Sequence, residues 1–161
     1  MNKDLYSVQQ PDKLSQGRVR KATLLDVPAL VSLGHKALNR DLPNEVQIDN
    51  KALYRLANCC LASSSNYLYV YEFDCKVVAS VAAFVSDSPL YVGRQAEVVQ
   101  FFTSKPGAGI ALLRHFRDWI KTSDDIVMTM FSLESYADPR IGKLLMRLGF
   151  QESRPSFIMW R

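Results

Sequence analysis

The sequence predicts an α/β (α+β) domain in which helices flank one mixed, mostly antiparallel central sheet, in the order β-α-α-β-β-β-α-β-α-β. Three observations carry this reading. Helical apolar stripes alternate with short β-branched and aromatic runs along 161 residues, a length that suits one compact domain. Two of the strand runs are separated only by Asp74 and Cys75, a hairpin spacing that makes the front half antiparallel. A later run, AEVVQFFTS, feeds through a glycine-containing turn into a strongly amphipathic helix and then into another strand. If those two strands pair in parallel, the unit is a right-handed crossover.

Residues 1–16 are polar and read as a flexible arm, without the apolar centre of a signal peptide. Residues 17–161 read as a single domain. A strand is expected over 18–24, then Asp26 offers an N-cap and Pro28 lies in the first turn of a helix. Val27, Leu30, Val31, Leu33, Ala37 and Leu38 give that helix its apolar stripe. The run DLPNEVQIDN breaks it. A second helix follows over Asn50–Ala62, with Leu53, Leu56, Ala57 and Cys60 on one face, and SSSN ends it.

The hairpin strands are expected over Tyr67–Phe73 and 76–85. A turn-rich stretch, SDSPLYVGRQ, leads to the fourth strand at 96–104. In the helix opened by SKPGAG, Ile110, Leu113, Phe116 and Ile120 form the buried face, flanked by Leu112 and Trp119. His115 reads as a surface residue of this helix. Asp124 and Asp125 precede the fifth strand, 126–133. The last helix starts near Asp138, carries Ile141, Leu144, Leu145 and Leu148 at core spacing, and stops at Gly149. A closing strand is expected over 155–160, with room for a short extra one near Phe150.

The composition narrows the function classes. Hydrophobic residues make up 48% and charged residues 22%, enough apolar material for a core without disulfide or metal staples. Three cysteines, Cys59, Cys60 and Cys75, form no disulfide framework and point to a reducing, cytoplasmic setting. His35 and His115 have no partners at ligand spacing, so no metal is expected. The net charge of +4 suits an anionic small molecule. Its bases are interspersed with acids, which argues against nucleic acid. No segment reaches the roughly 18 apolar residues of a membrane span.

The segment that carries chemistry is SKPGAGIALL. Gly107 and Gly109 let the backbone turn tightly and let a ligand approach. The first N–H groups of a helix lack internal partners, and with the helix dipole they suit a phosphate or pyrophosphate. Lys105 adds a positive charge. Locally, an equally good reading is that the glycines only permit a strand-to-helix turn. No Gly-Lys-Ser/Thr ending marks a nucleoside triphosphate loop, and no third glycine marks a dinucleotide fingerprint.

The order of elements, the glycine turn after the fourth strand, and the ending LLMRLGFQESRPSFIMW together resemble the GCN5-related N-acetyltransferases, over residues 18–160. Gly107, Gly109 and the helix start match that family's pyrophosphate loop, and Leu148, Gly149 and Phe150 match its Leu-Gly-Phe signature. Ser104 stands where the family has Gln or Arg. The turn is also shorter than the family's. The resemblance implies acetyl-CoA as co-substrate, held between the fourth and fifth strands, and an amine as acceptor. It implies that Phe101, Phe102 and Thr103 lie beside the pantetheine arm. Ser104, Lys105, Gly107, Ala108, Gly109 and Ile110 would surround the pyrophosphate. A backbone N–H near Phe102 would polarise the thioester carbonyl.

The same resemblance nominates Glu97 as the base, because AEVV is similar to the start of this strand in the histone-acetylating branch. A partly desolvated carboxylate would suit that role. Glu97 as a solvated strand residue is the competing reading. Leu145 occupies the place of the family's acid, a tyrosine, and cannot donate a proton. Tyr136 is the candidate acid, with solvent or a simple packing role as alternatives. Arg114, Arg140, Lys143 and Arg147 would either contact the 3′-phosphate of CoA or form a solvated face. Asp41, Glu45, Asp49 and Glu134 would supply negative charge for a cationic acceptor: a protein lysine or N-terminus, a polyamine, or an aminoglycoside. The alternative function is a catalytically weak module with this fold that binds a partner protein. A homodimer is compatible with either.

Overall fold

A computed structural model describes residues 17–132 and 138–152. The expected arm 1–16, Glu134, Tyr136 and the expected closing strand 155–160 lie outside the described residues. Among these residues the strands are β1 (Arg18–Lys21), β2 (Tyr67–Phe73), β3 (Lys76–Asp87), β4 (Arg94–Thr103) and β5 (Ile126–Phe131). The helices are α1 (Val27–Asp41), α2 (Asn50–Ala62), α3 (Ala108–Lys121) and α4 (Pro139–Arg147). The sheet runs β1-β2-β3-β4-β5; its pairs are antiparallel except β4 with β5, which is parallel. This is the mixed, mostly antiparallel architecture expected from the sequence.

The hairpin turn between β2 and β3 is built from two left-handed residues, Asp74 (φ 48°) and Cys75 (φ 58°). Two successive positive φ values match the right-handed twist of the strands that the turn joins. The sheet then separates two cores. On one face Ala22, Val27, Leu30, Val31, Ala57 and Cys60 pack with Leu68, Val70 and Ala82. On the other, Ala79, Val81, Ala83 and Val98 meet Ala108, Leu112 and Phe116 of α3. Burying a side chain such as Leu112 or Phe116 stabilises by about 1.5–3 kcal/mol.

Helix α4 joins the second core through Leu145 and Leu148, which pack with Leu113. It ends in a Schellman arrangement: Phe150 N–H donates to Leu145 O and Gly149 N–H to Met146 O. Gly149 sits at φ 99°, a conformation that disfavours a Cβ. Phe150 folds back against the Leu145–Leu148 cluster. The Leu-Gly-Phe ending is therefore a helix stop with its own hydrophobic clasp.

Two expectations are corrected. His115 is half-buried: Tyr67 Oη lies 2.7 Å from its Nδ1, and the Tyr69 ring lies tilted against it with centroids 4.5 Å apart. Burial pushes the Tyr67 phenol far above its usual range, so it stays a neutral hydroxyl. Sequence spacing put His115 beside the apolar stripe, but two tyrosines on β2 extend the core to it.

Asp26 does not cap α1 with its side chain. Its carboxylate turns back to the Thr23 N–H (2.8 Å) and takes a two-pronged grip from Arg20 at 2.8 Å on each oxygen. Arg20 also binds Glu72 on β2, so β1, β2 and the start of α1 share one ionic cluster.

Arg20 and the Thr23 N–H hold the buried Asp26 carboxyl down at about 2, below its usual 3.8. A depressed folded value means this stabilisation is complete above about pH 4 and is lost as pH falls through about 2. The shift corresponds to about 2 kcal/mol. We expect the stability gap between the parent protein and Asp26→Asn, from urea unfolding, to shrink by about that amount from pH 4 to pH 2. A gap that does not change with pH would remove Arg20–Asp26 from the acid-labile contacts.

Candidate functional site

The site grows from the way β4 loses a neighbour. Its pairing with β5 runs from Arg94–Ile126 to Val98–Phe131. Its pairing with β3 continues to Thr103–Ala79. Among the described residues, no strand pairs with the 99–103 edge of β4 on the β5 side. At the parting point, Val98 faces Ala83 and Gln100 faces Ala82, so Val99 is an extra residue, a β-bulge. Val99 is exposed.

The bulge resets which way side chains point. Val98 belongs to the α3 core. After the bulge, Phe101 and Thr103 face α3, where they approach Gly109. Glu97, Gln100 and Phe102 face the α1/α2 side, and the Phe102 ring lies against Gly34 of α1.

Backbone direction follows from one hydrogen bond. Ser104 N–H donates to Val78 O at 2.8 Å, one step beyond the Thr103–Ala79 pair. Bonded and non-bonded pairs alternate in an antiparallel ladder, so Phe102 exchanges its bonds with Ser80. The Phe102 N–H therefore faces β3. Phe101 and Thr103 carry the N–H and C=O groups of the open edge, so of the backbone donors near Phe102 it is these two that face it.

The turn into α3 keeps donors free. Gly107, at φ 84°, is the N-cap, and no side chain caps the helix. Ala108 N–H reaches Lys105 O, and Ala111 N–H reaches Gly107 O. Gly109 and Ile110 N–H meet no acceptor among the described residues. Ser104 has both its N–H and its hydroxyl committed to Val78 O, so it holds the turn to β3. Thr103 Oγ1 donates to Lys105 O at 3.1 Å. The Lys105 ammonium lies 3.8 Å from the centroid of the Phe73 ring.

No family model matches the sequence, and no curated protein matches it. Solved structures do. A predicted acetyltransferase from Clostridium acetobutylicum, crystallised with acetyl-CoA, is 22% identical with a TM-score of 0.70, over 89% of this chain and 96% of that one. An aminoglycoside acetyltransferase from an uncultured soil metagenomic sample, in complex with trehalose, is 14% identical with a TM-score of 0.65, over 90% and 96%. A transcriptional regulator from Bacillus halodurans is 16% identical with a TM-score of 0.72, over 91% and 100%. The chain has the fold of the GCN5-related N-acetyltransferases.

Within this GCN5-related fold, Glu97 is exposed on the α1/α2 face, opposite Phe84 on β3 and Met130 on β5. Among the described residues, none buries its carboxylate, which matches the competing reading of Glu97 as a solvated strand residue. Arg94, on the same strand, pairs with Asp125 and Asp87, so its charge is engaged elsewhere. Leu145 is buried against Leu113 and Leu148 and takes a purely packing role.

Of the acidic residues expected near an acceptor, Asp41 pairs with Arg40. Asp49 caps α2 and pairs with Arg55. Both are therefore compensated. Arg140 is tied to Asp138 at the start of α4. A groove of about 340 Å³ lies between α1 and α2, lined by His35, Lys36, Asn50 and Tyr54 among others. No strand residue lines it, so it is separate from the β4 edge.

The sequence missed the bulge and the close approach of Gly109 to Phe101. A Cβ on Gly109 would stand 2.9 Å from Phe101 Cζ, whereas one on Gly107 would meet nothing within 4 Å. Gly107→Ala should then cost only the left-handed backbone penalty, about 1 kcal/mol. Gly109→Val should overpack the β4–α3 contact and cost about 2–3 kcal/mol. Thermal melts of the two variants check the order, and a larger loss at Gly107 would contradict the packing described.

Proposed function

We propose that the protein is an acetyl-CoA-dependent N-acetyltransferase that acts on a primary amine. One observation carries the proposal: among the described residues, an open strand edge at 99–103 runs straight into a helix N-terminus whose Gly109 and Ile110 N–H groups are unpaired. The residues fit such a co-substrate. The edge offers N–H and C=O groups to an amide-bearing pantetheine arm through Phe101 and Thr103. The helix start offers amides and a positive dipole end to a diphosphate. The missing Cβ of Gly107 leaves open space in front of them.

Bound acetyl-CoA supplies an activated thioester carbonyl. The Phe101 N–H, fixed by the β3–β4 ladder, donates to the carbonyl oxygen where negative charge develops. Glu97 lies on the same strand, before the bulge, and accepts the ammonium proton directly or through one water. Its exposure favours the water-mediated route. Tyr136 remains the proposed acid, with solvent as the other proton source, because a thiol with a pKa near 8.5 leaves readily. The acceptor classes are a protein lysine or N-terminus, a polyamine, or an aminoglycoside. The aminoglycoside acetyltransferase among the similar structures supports the last of these. We place the enzyme in the cytoplasm, as a single domain over 17–161.

Acetyl-CoA at one hundred times its Kd should add about 2.7 kcal/mol of stability, a Tm rise of roughly 5–10 °C. With an amine that supports thiol release, Glu97→Gln should lower kcat about 100-fold or more while keeping that Tm rise. A Tm rise without thiol release on any amine would favour the alternative, a CoA-binding module that acts on a partner protein. No Tm rise at all would end the proposal.

A further inference from the structure

Among the buried strand residues on the α1/α2 face, Leu68, Val70 and Ala82 are apolar, and Ser80 and Gln100 form one polar pair. Gln100 Nε2 donates to Ser80 Oγ at 2.8 Å. Ser80 is 0% exposed and Gln100 is 8% exposed. Gln100 faces Ala82 in the register, so its amide reaches diagonally along β3 to Ser80, the residue paired with Phe102. Gln100 is also the first residue after the Val99 bulge. An apolar pair of similar shape would fill this space with no polar group to desolvate. The polar pair therefore needs a reason beyond packing.

Register supplies that reason. Side chains alternate faces along a strand, so an extra residue at Val99 decides where every later residue points. Without the bulge, or with the bulge moved beyond Gln100, the Gln100 amide would enter the opposite core among Val81, Ala83, Leu112 and Phe116. Among the described residues, that cluster is lined mainly by apolar carbon; its polar atoms are the Tyr67 hydroxyl, which is bonded to His115, and those of Tyr69, Tyr71 and Trp119 at its partly buried margin. Phe101 and Phe102 would also exchange faces, taking Phe101 away from Gly109 and Phe102 away from Gly34. An apolar residue at 100 would tolerate either face. A glutamine bonded to Ser80 tolerates one.

We propose that Ser80 and Gln100 are positioning residues, whose buried hydrogen bond holds the bulge at Val99 and so sets which backbone groups of β4 face the open edge. This rests on the acetyltransferase reading for its link to turnover. Neither side chain needs to touch the reacting atoms. Their effect passes through the Val99–Thr103 backbone, which presents the Phe101 N–H. The diphosphate end of the co-substrate, held at the start of α3, depends on them less.

The test compares Gln100→Leu, Ser80→Ala and the double variant Ser80→Ala/Gln100→Leu. Each single variant strands a buried polar group and should melt below the parent. The double variant should recover most of that loss. Its kcat should nevertheless stay at least 10-fold below the parent, with the acetyl-CoA affinity changed less than about 3-fold. Its backbone amide resonances from Val99 to Thr103 should shift or broaden, while those of Gly109 and Ile110 hold. Parental turnover with unmoved resonances in the double variant would overturn the proposal and leave the pair a purely structural contact. If the parent itself releases no thiol, the acetyltransferase reading fails, and the 99–103 resonances alone then decide whether the pair sets the register.

Discussion

Among the described residues, strand β4 has two partners along its first half and one along its second, and the neighbouring elements are arranged around that asymmetry. Backbone N–H and C=O groups are strong hydrogen-bonding groups, and an exposed row of them is a template for something extended to bind. Here the row lies where the parallel pairing with β5 stops, at Val98 and Phe131. The ladder to β3 keeps it rigid as far as Thr103. A rigid edge with one free side is a preorganised partner for an amide-containing chain.

The elements beyond the edge serve its geometry. The turn after Thr103 is tied to β3 through Ser104 and closed by the Thr103–Lys105 hydrogen bond. It delivers α3 with Gly109 against the Phe101 ring, so the helix start sits directly beyond the end of the open edge. Helix α3 is then fixed from below by Leu112, Leu113 and Phe116, all essentially fully buried. Helix α4 locks onto the same core through its Schellman clasp at Leu145 and Phe150. On the opposite face, Gly34 lets α1 approach Phe102. The Arg20–Asp26–Glu72 cluster anchors the start of α1 to the first two strands.

Much of this was legible in the sequence, for identifiable reasons. The second helix and the hairpin have strong periodicity and clear breakers at both ends, and α2 and β2 occupy the residues expected. The glycine turn was legible because Gly107 and Gly109 sit between a strand pattern and a helix pattern. The bulge was not. Val99 is a β-branched residue in a β-rich run, and nothing in AEVVQFFT distinguishes an extra residue from a regular one. That single insertion decides whether Phe101 or Phe102 presents its N–H to the open edge. His115 and Asp26 were misjudged because their partners, Tyr67 and Arg20, come from other elements. Local spacing cannot report such contacts.

The central claim is that the free edge of β4 and the start of α3 bind one extended diphosphate ligand together. Backbone amide shift mapping with ¹⁵N-labelled protein and acetyl-CoA tests it most directly. The account predicts that Phe101, Thr103, Gly109 and Ile110 amides move together on a single saturating curve. Perturbations confined to the groove between α1 and α2, or movement at α3 without β4, would contradict it.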